Sequence, residues 1–410
     1  MAHLFNRIGL VLCLAMALAL SACGGGGGGG SSATVVAAYP VSLATLSDAN
    51  VIPVVVESGP GRNVNMPYVT VTVCSPGTQH CQSINNVLLD TGSTGLRLFA
   101  NQIDPAVTLP PHRIGDSSTI SECAQFLSMV AWGPVRQADV VLGGERAAAV
   151  PIQLMDANFA PLPSDCGDAP LVSTTTSSRT KSLYANGILG VGLFVNDGQT
   201  YFNCSSPDAS CQFSPPASQQ VQNPVHAFAV NNNGIAIQLP DLPAQGVGRA
   251  QGYLIFGVGT QRNNQLGTAN VVPVDPSSGT FTTLYKGRTL TNSVIDSGSN
   301  GLYFDDPQSF PVTCVHPAGF YCPDSAQQLS ASIVLQATNA LVDFQIGNAS
   351  ALFAPGTNLA FNNLGGPGGD SFFDWGLPFF FGRTVFTVIE GQQVVHDAQS
   401  LPGPFHAFSN

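Results

Sequence analysis

Apolar and polar residues alternate along several short segments of this chain, which is the period of a half-buried β-strand. The clearest alternation is in residues 68–74, Tyr-Val-Thr-Val-Thr-Val-Cys. An apolar segment over 126–143 predicts a hairpin, with Trp132-Gly133-Pro134 near its turn. Residues 195–225 and the Gly-rich 363–371 are predicted to be loops. Further strands are predicted at 51–57, 83–89, 252–257, 270–275, 281–284 and within 328–346.

The composition agrees with a chain built from strands and turns. Only 9% of the residues are charged, against about 25% in typical proteins. The good helix formers Glu and Lys are rare, whereas Gly (44) and Pro (30) are frequent, so we predict an all-β fold. A length of 410 residues allows one large core or two lobes. The net charge of -11 argues against nucleic-acid binding, and a hydrophobic fraction of 44% argues against disorder.

The N-terminus carries a targeting pattern. Arg7 precedes an apolar run that ends at Leu-Ser-Ala-Cys23, and this run is too short to span a membrane. It resembles a bacterial lipoprotein signal, which implies removal of residues 1–22 and a lipid on Cys23; an ordinary secretory signal is the alternative. Residues 23–50 are then predicted to be a Gly/Ser-rich tether. The glycine after Cys23 resembles outer-membrane sorting, so we expect an exported protein of the cell envelope.

Eight cysteines remain beyond the signal and the lipidation site. An even number behind an export signal favours disulfides over free thiols or a metal site. The cysteines show no Cys-x-x-Cys spacing, and the seven histidines show no metal-ligand spacing. From proximity along the chain we predict the pairs Cys74–Cys81, Cys123–Cys166, Cys204–Cys211 and Cys314–Cys322.

Two short segments repeat the same sequence pattern. Asp90-Thr91-Gly92-Ser93 and Asp296-Ser297-Gly298-Ser299 each follow an apolar run and precede Gly-Leu. Roughly 85–100 residues later each half has an apolar-apolar-Gly segment, Ile188-Leu189-Gly190 and Phe380-Phe381-Gly382. We interpret this order as a diverged internal duplication with lobes at 51–245 and 246–410. The alternative for either motif alone is an Asx turn between two strands.

This order resembles the pepsin-like aspartic proteases, over about residues 65 to 392. The resemblance implies a two-lobed β fold in which Asp90 and Asp296 meet in a cleft and activate one water. It further implies a peptide or protein substrate, no cofactor, no metal and a monomer. The expected supporting residues are Thr91 and Ser297 bonding across the lobes, Ser93 and Ser299 bonding their own carboxylates, and Gly92 and Gly298 permitting close approach.

The chain also departs from that family. Trp132 aligns best where the family has a Tyr on the flap over the dyad; it either contacts substrate or only packs the hairpin on its lobe. Residues 24–64 hold a single cation, Arg62, and so lack a basic pro-segment. The alternatives to a peptidase are therefore an inactive module that binds peptide or glycan, and an envelope scaffold.

Other chemistries find little support in the sequence. The chain has no Gly-x-Ser-x-Gly motif, which argues against a serine hydrolase. Asp305, Asp306, Asp370 and Asp374 lack the spacing of a calcium loop, so we predict that they lie in solvated loops.

Overall fold

The structure, a computed structural model, describes residues 35–36, 44–114, 118–177, 180–204, 211–213 and 220–409. Strands dominate these residues, and the one α-helix among them is the five-residue α1 (Ala349–Phe353). The all-β fold class is therefore confirmed. None of the described helices has the length and apolar character needed to cross a membrane. The predicted signal peptide, residues 1–22, and Cys23 lie outside the described residues.

The strands before residue 245 are β1 (Val35–Val36), β2 (Val51–Val56), β3 (Pro67–Cys74), β4 (Cys81–Asp90), β5 (Thr94–Phe99), β6 (Arg113–Ile114), β7 (Ser118–Phe126), β8 (Met129–Leu142), β9 (Glu145–Met155), β10 (Leu171–Ser173), β11 (Thr180–Ser182), β12 (Gly187–Val191), β13 (Thr200–Cys204), β14 (Gln212–Phe213) and β15 (Gly234–Gln238). The later strands are β16 (Arg249–Phe256), β17 (Asn270–Pro273), β18 (Phe281–Tyr285), β19 (Arg288–Ile295), β20 (Leu302–Phe304), β21 (Gln327–Val334), β22 (Asn339–Ile346), β23 (Gly365–Gly366), β24 (Phe372–Trp375), β25 (Thr384–Val388), β26 (Gln393–His396), β27 (Gln399–Pro402) and β28 (Phe405–Ser409). Short 3-10 helices span Ala100–Gln102, Ser164–Cys166, Arg262–Asn264 and Leu377–Phe379.

Hydrogen-bonded pairing links these strands into two large sheets and one small hairpin. Nineteen strands, β1 to β17 with β25 and β28, form one connected sheet. The second sheet has the order β22-β21-β18-β19-β24-β20-β23, and β26 pairs with β27. Four strands beyond residue 245 join the first sheet, for example β16 along β2 and β25 along β15. The proposed lobe boundary at residue 245 stays a prediction.

One three-strand motif occurs in both sheets. In the first sheet β12 lies between β4, to which it is parallel, and β5, to which it is antiparallel. In the second sheet β24 lies in the same way between β19, parallel, and β20, antiparallel. The turn from β4 to β5 and the turn from β19 to β20 therefore occupy equivalent places. These are the two Asp-containing turns of the sequence.

The apolar run before each Asp forms the core beneath each turn. Val87, Leu88 and Leu89 of β4 are at most 6% exposed, and Ile295 of β19 is 1% exposed. The second sheet adds aromatic packing, with Phe304 and Phe373 stacked at 4.8 Å between ring centroids. Each fully buried side chain of this kind contributes about 1.5–3 kcal/mol. The first turn follows a strand end that is buried on both faces, whereas the strand before the second turn is buried on one face.

Several predicted elements agree with the structure and others do not. The loop predicted at 195–225 contains β13 and β14, and the loop predicted at 363–371 contains β23. The strands predicted at 51–57, 68–74, 83–89, 252–257, 270–275 and 281–284 are all present, and the 328–346 segment forms the hairpin β21–β22. The hairpin turn predicted near Trp132 is wrong, because the turn between β7 and β8 lies at 127–128. The tether predicted over 23–50 ends earlier, since Asn50 is buried and its Nδ2 donates to the Phe256 carbonyl.

Four disulfides connect the cysteines in the predicted pairs: Cys74–Cys81, Cys123–Cys166, Cys204–Cys211 and Cys314–Cys322. Three of them close loops of seven or eight residues, whereas Cys123–Cys166 closes one of 43. The long one ties β7 to the Ser164–Cys166 helix, and both of its sulfur-bearing residues are fully buried.

Replacing Cys123 and Cys166 together by Ser should destabilise the protein more than the same change at Cys74 and Cys81. Loop-closure entropy gives about 4 kcal/mol for the long loop and about 2 kcal/mol for the short one. Urea unfolding of the two double variants measures the difference. Equal losses would contradict an entropic origin of the stabilisation.

Candidate active site

The first Asp turn wraps the carboxylate of Asp90 with donors from its own residues. Asp90 ends β4 and is 7% exposed. The backbone N–H of Gly92 donates to Asp90 Oδ1 at 2.8 Å, and the Ser93 hydroxyl donates to Oδ2 at 2.5 Å. Each carboxyl oxygen thus has one local donor, which fixes the orientation of the side chain.

The second turn repeats this arrangement atom for atom. Gly298 N–H donates to Asp296 Oδ1 at 2.7 Å, and the Ser299 hydroxyl donates to Asp296 Oδ2 at 2.7 Å. The duplication seen in the sequence therefore extends to the hydrogen bonds around the two carboxyl groups.

Reciprocal hydrogen bonds tie the two turns together. Thr91 N–H donates to Ser297 Oγ at 3.1 Å, and Ser297 N–H donates to Thr91 Oγ1 at 2.9 Å. Each hydroxyl then donates to a carbonyl on the opposite strand, Thr91 to Ile295 at 3.1 Å and Ser297 to Leu89 at 2.8 Å. Thr91 and Ser297 are buried, so these four bonds are shielded from water.

The glycines at the third position of each turn allow the carboxyl groups to face each other. A Cβ on Gly92 would lie 2.6 Å from Cγ of Asp296, and a Cβ on Gly298 would lie 2.7 Å from Oδ1 of Asp90. Both distances are too short for a real contact, so each turn touches the carboxyl group of the other. Residues that are 206 positions apart in the sequence thus form one site.

Burial and a neighbouring carboxyl change the titration of Asp90. Burial raises its pKa well above the ordinary value, and the charge of Asp296 and a hydrogen bond with that carboxyl raise it further. The donors Ser93 and Gly92 act in the opposite direction but do not cancel the effect. Because two adjacent carboxylates cannot both ionise cheaply, the pair retains one proton over a wide pH range.

Comparison with known proteins places the chain in a family. The family model described as "Protein of unknown function (DUF3443)" matches residues 46–408. The chain belongs to this family. No curated protein matches the sequence. Among solved structures, an aspartic proteinase from Irpex lacteus matches at 13% identity and a TM-score of 0.45, over 88% of this chain and 96% of that one.

The segment beneath the second Asp turn of this DUF3443 protein differs from the predicted one. The prediction of Phe380-Phe381-Gly382 is wrong, because β24 pairs with β19 through Val294 with Asp374 and Ile295 with Trp375. The equivalent of Ile188-Leu189-Gly190 is therefore Asp374-Trp375-Gly376. A Cβ on Gly376 would lie 2.1 Å from the Gly301 carbonyl, which explains the need for glycine there.

Trp132, the predicted flap residue, is enclosed in the DUF3443 fold. Its side chain is 1% exposed, its Nε1 donates to the Ala160 carbonyl at 2.9 Å, and its ring meets Phe202 edge-on. Leu127, at the actual tip of the hairpin, is 93% exposed. This geometry agrees with the alternative that Trp132 only packs the hairpin on its lobe. We therefore propose no substrate contact for Trp132.

Two of the aspartates predicted in solvated loops are buried, which corrects that prediction. Asp306 is 5% exposed and accepts hydrogen bonds from Lys286 Nζ at 2.8 Å and from the Tyr285 hydroxyl at 2.6 Å. Asp374 is 2% exposed and lies within β24. Within the described part of the chain, no group of three or more His, Cys, Asp or Glu side chains is arranged to hold a metal ion.

Sequence reasoning missed two residues that adjoin the site. Asp374 interrupts an apolar run, between Phe373 and Trp375, and that interruption was the available signal. Asn65 is fully buried and its Nδ2 donates to the carbonyl of Asn300, next to the second turn. Nothing in the local pattern around Asn65 indicates this contact across 235 positions.

Proposed function

We propose that the protein is an aspartic endopeptidase that hydrolyses peptide bonds with a water held between Asp90 and Asp296. One observation carries the proposal: two carboxyl groups, each with the same two local donors, meet across turns that are bonded to each other. A pair that holds a single proton has a base and an acid in one site.

The chemistry needs no further group. The ionised carboxylate accepts a proton from the water as the water oxygen attacks the peptide carbonyl carbon, and the protonated carboxyl donates to the carbonyl oxygen. In the resulting tetrahedral diol the C–N bond breaks as the carboxyl that took the water's proton donates it to the nitrogen. The other carboxylate takes a proton from a diol hydroxyl as the carbonyl of the acid product forms. Each turnover thus returns the pair to one shared proton.

We further propose that this activity is located at the cell envelope, with a lipid on Cys23 anchoring a monomer to the outer membrane. The proposal depends on the signal-like sequence of residues 1–23. The four disulfides agree with export, since disulfides persist in oxidising compartments.

A second candidate function is a non-catalytic module that binds an extended peptide or a glycan in the cleft. Two observations favour it: Trp132 is enclosed and does not act as a free flap residue, and residues 24–64 carry a single cation. Secreted members of the pepsin-like family, which this sequence resembles, usually neutralise the dyad before activation with a basic pro-segment.

A peptide-library digest distinguishes these functions. We expect cleavage at acidic pH that continues well above the ordinary carboxyl range, because the pKa of Asp90 is raised. A statine-type peptide, measured by calorimetry, should bind and suppress cleavage. Binding without cleavage would support the binding module, and neither binding nor cleavage would support a scaffold.

A further inference from the structure

A row of paired residues crosses the first sheet next to Asp90. Leu88 of β4 is opposite Ile188 of β12. Ile188 is opposite Arg97 of β5, which is opposite Gln153 of β9. Directly paired residues, and residues two apart along one strand, point to the same face of a sheet. The row therefore lies on the face to which Asp90 points, roughly 7 Å from it along β4.

The hairpin β7–β8 covers this row. Ala124 and Ala131, one from each hairpin strand, are fully buried in one cluster with Leu88 and Ile188. The hairpin also has neighbours on both sides, because β7 pairs with β13 and β8 pairs with β10. It thus lies on the Asp90 face of the sheet as the middle part of a larger structure.

Two long polar side chains of the row bind the hairpin. Gln153 Nε2 donates to the carbonyl of Glu122 at 2.8 Å and to that of Ala131 at 3.2 Å, one on each hairpin strand. Arg97 binds the carboxylate of Glu122 through Nε at 3.2 Å and through Nη2. Arg97, Glu122 and Gln153 are at most 1% exposed. These bonds are therefore shielded from competing water.

Arg97 also binds the first Asp turn. Its Nη1 donates to the carbonyl of Thr94 at 2.8 Å, and Thr94 follows Ser93, whose hydroxyl donates to Asp90 Oδ2. Its Nη2 lies 2.5 Å from Asp197 Oδ2, which gives the guanidinium a second carboxylate partner. One side chain thus connects the end of the Asp90 turn with the hairpin that covers it.

The second sheet has other residues at these two places. Tyr303 of β20 pairs with β24 and with Gly366 of β23, as Arg97 pairs with β12 and with Gln153. The Tyr303 hydroxyl donates to Asn300 Oδ1, within its own turn, at 2.6 Å. Gly366 has no side chain with which to bind a neighbouring strand. The two hairpin-binding donors therefore belong to the Asp90 half.

We propose that Arg97 is a positioning residue that fastens the hairpin β7–β8 to the Asp90 turn through Glu122, and so makes the hairpin a fixed wall of the peptidase site. The inference rests on the proposed peptidase function. Opening of the hairpin would break charge-assisted hydrogen bonds in a buried place, which makes opening rare. The substrate therefore meets a wall that is already ordered and does not close as a lid in each turnover.

Amide hydrogen exchange measures the opening of the hairpin without any need for catalysis. In the wild type we expect the amides of β7 and β8 to exchange within about tenfold of those of β4, because the hairpin opens only together with the core. Faster exchange of the hairpin amides would overturn the proposal. This measurement needs no substitution, so it decides even if the variants below do not fold.

The variants Glu122→Leu and Glu122→Gln test the bond to Arg97 directly. The Leu variant has no acceptor for Arg97, which keeps Asp197 as its partner, so exchange in β7 and β8 should rise at least about tenfold relative to β4. The Gln variant keeps an oxygen acceptor and should stay within about threefold of the wild type. The hairpin β21–β22 of the second sheet is the internal control. Equal exchange in the two variants, or an equal rise in β21–β22, would overturn the proposal.

Kinetics on a peptide from the library digest give a second readout. A loosened hairpin must be ordered whenever substrate binds, so KM of Glu122→Leu should rise about tenfold while kcat stays within about twofold. A merely structural role would reduce the folded fraction, which lowers kcat at an unchanged KM, and that result would overturn the proposal. A wild type that cleaves no peptide would refute the peptidase function, whereas the exchange results alone then decide whether Arg97 fastens the hairpin.

Discussion

Replacing either Asp90 or Asp296 by Asn should abolish peptide cleavage, with a fall in kcat/KM of at least about 10³-fold. An amide can neither accept the proton of the water nor share a proton with the opposite carboxyl, so each variant loses both the base and the acid function. Cleavage of a peptide chosen from the library digest, followed by mass spectrometry, measures the loss. The exposed Asp343→Asn is the matched control and should cleave at the wild-type rate.

The same variants should keep the fold, and Asp90→Asn should also become more stable at neutral pH. The pKa of Asp90 is raised in the folded state, so its contribution to stability is complete below the unfolded pKa and is lost as the pH rises through the folded value. Asp90→Asn removes this loss, and its free energy of unfolding at pH 7 should exceed that of the wild type. Cleavage by either pure variant within tenfold of the wild-type rate would remove the two residues from the mechanism.

The largest stability effect is expected at Arg97, where substitution by Leu should cost about 3–5 kcal/mol in the free energy of unfolding. Arg97 of β5 is 1% exposed and lies between two buried carboxylates. Its Nη2 is 2.5 Å from Asp197 Oδ2 and also donates to Glu122 Oε1. Without the guanidinium, both carboxylates would stay buried with no positive partner, and urea unfolding measures the cost.

An exposed ion pair provides the control for Arg97. Arg249 and Glu57 form a contact of 2.8 Å, but both side chains are about a third exposed. Pairs of this kind contribute about 0–1 kcal/mol, so Arg249→Leu should have little effect. Similar losses at the two arginines would show that burial of the Arg97 cluster adds nothing to the free energy of unfolding.

Burial raises the pKa of Glu122 and Arg97 opposes that rise, so the Arg97→Leu variant should take up a proton at Glu122.

Much of the fold could be predicted because its strands carry their signal locally. The alternation in β3 and the apolar run of β4 each predict one strand within a residue or two of its observed bounds. The turn between β7 and β8 could not be placed in this way. Trp132-Gly133-Pro134 has turn-forming composition, yet Gly133 is paired with Glu122 inside the hairpin, and a Cβ there would lie 1.9 Å from the Leu154 carbonyl. That glycine is required by close packing and not by a turn.

The two Asp turns were visible in the sequence because each motif carries its own glycine and hydroxyl donors. The segment beneath the second turn could not be identified from the sequence. Two stretches six residues apart, Trp375-Gly376 and Phe381-Gly382, both end in an aromatic residue followed by Gly. Only the pairing of β24 with β19 selects Trp375-Gly376 over Phe381-Gly382. The burial of Asp374 also depends on that register, because the sequence alone does not show which strand lies opposite this carboxyl group.

The difference between Asp374 and Ile188 also distinguishes this single chain from a symmetric dimer of two identical subunits. Two identical subunits related by a twofold axis place every side chain on both sides of the axis or on neither. Such a dimer cannot have a carboxyl group beside one aspartate of the pair and not beside the other. A single polypeptide that contains both copies in tandem can. A single chain that contains both copies can therefore place different residues beneath the two aspartates.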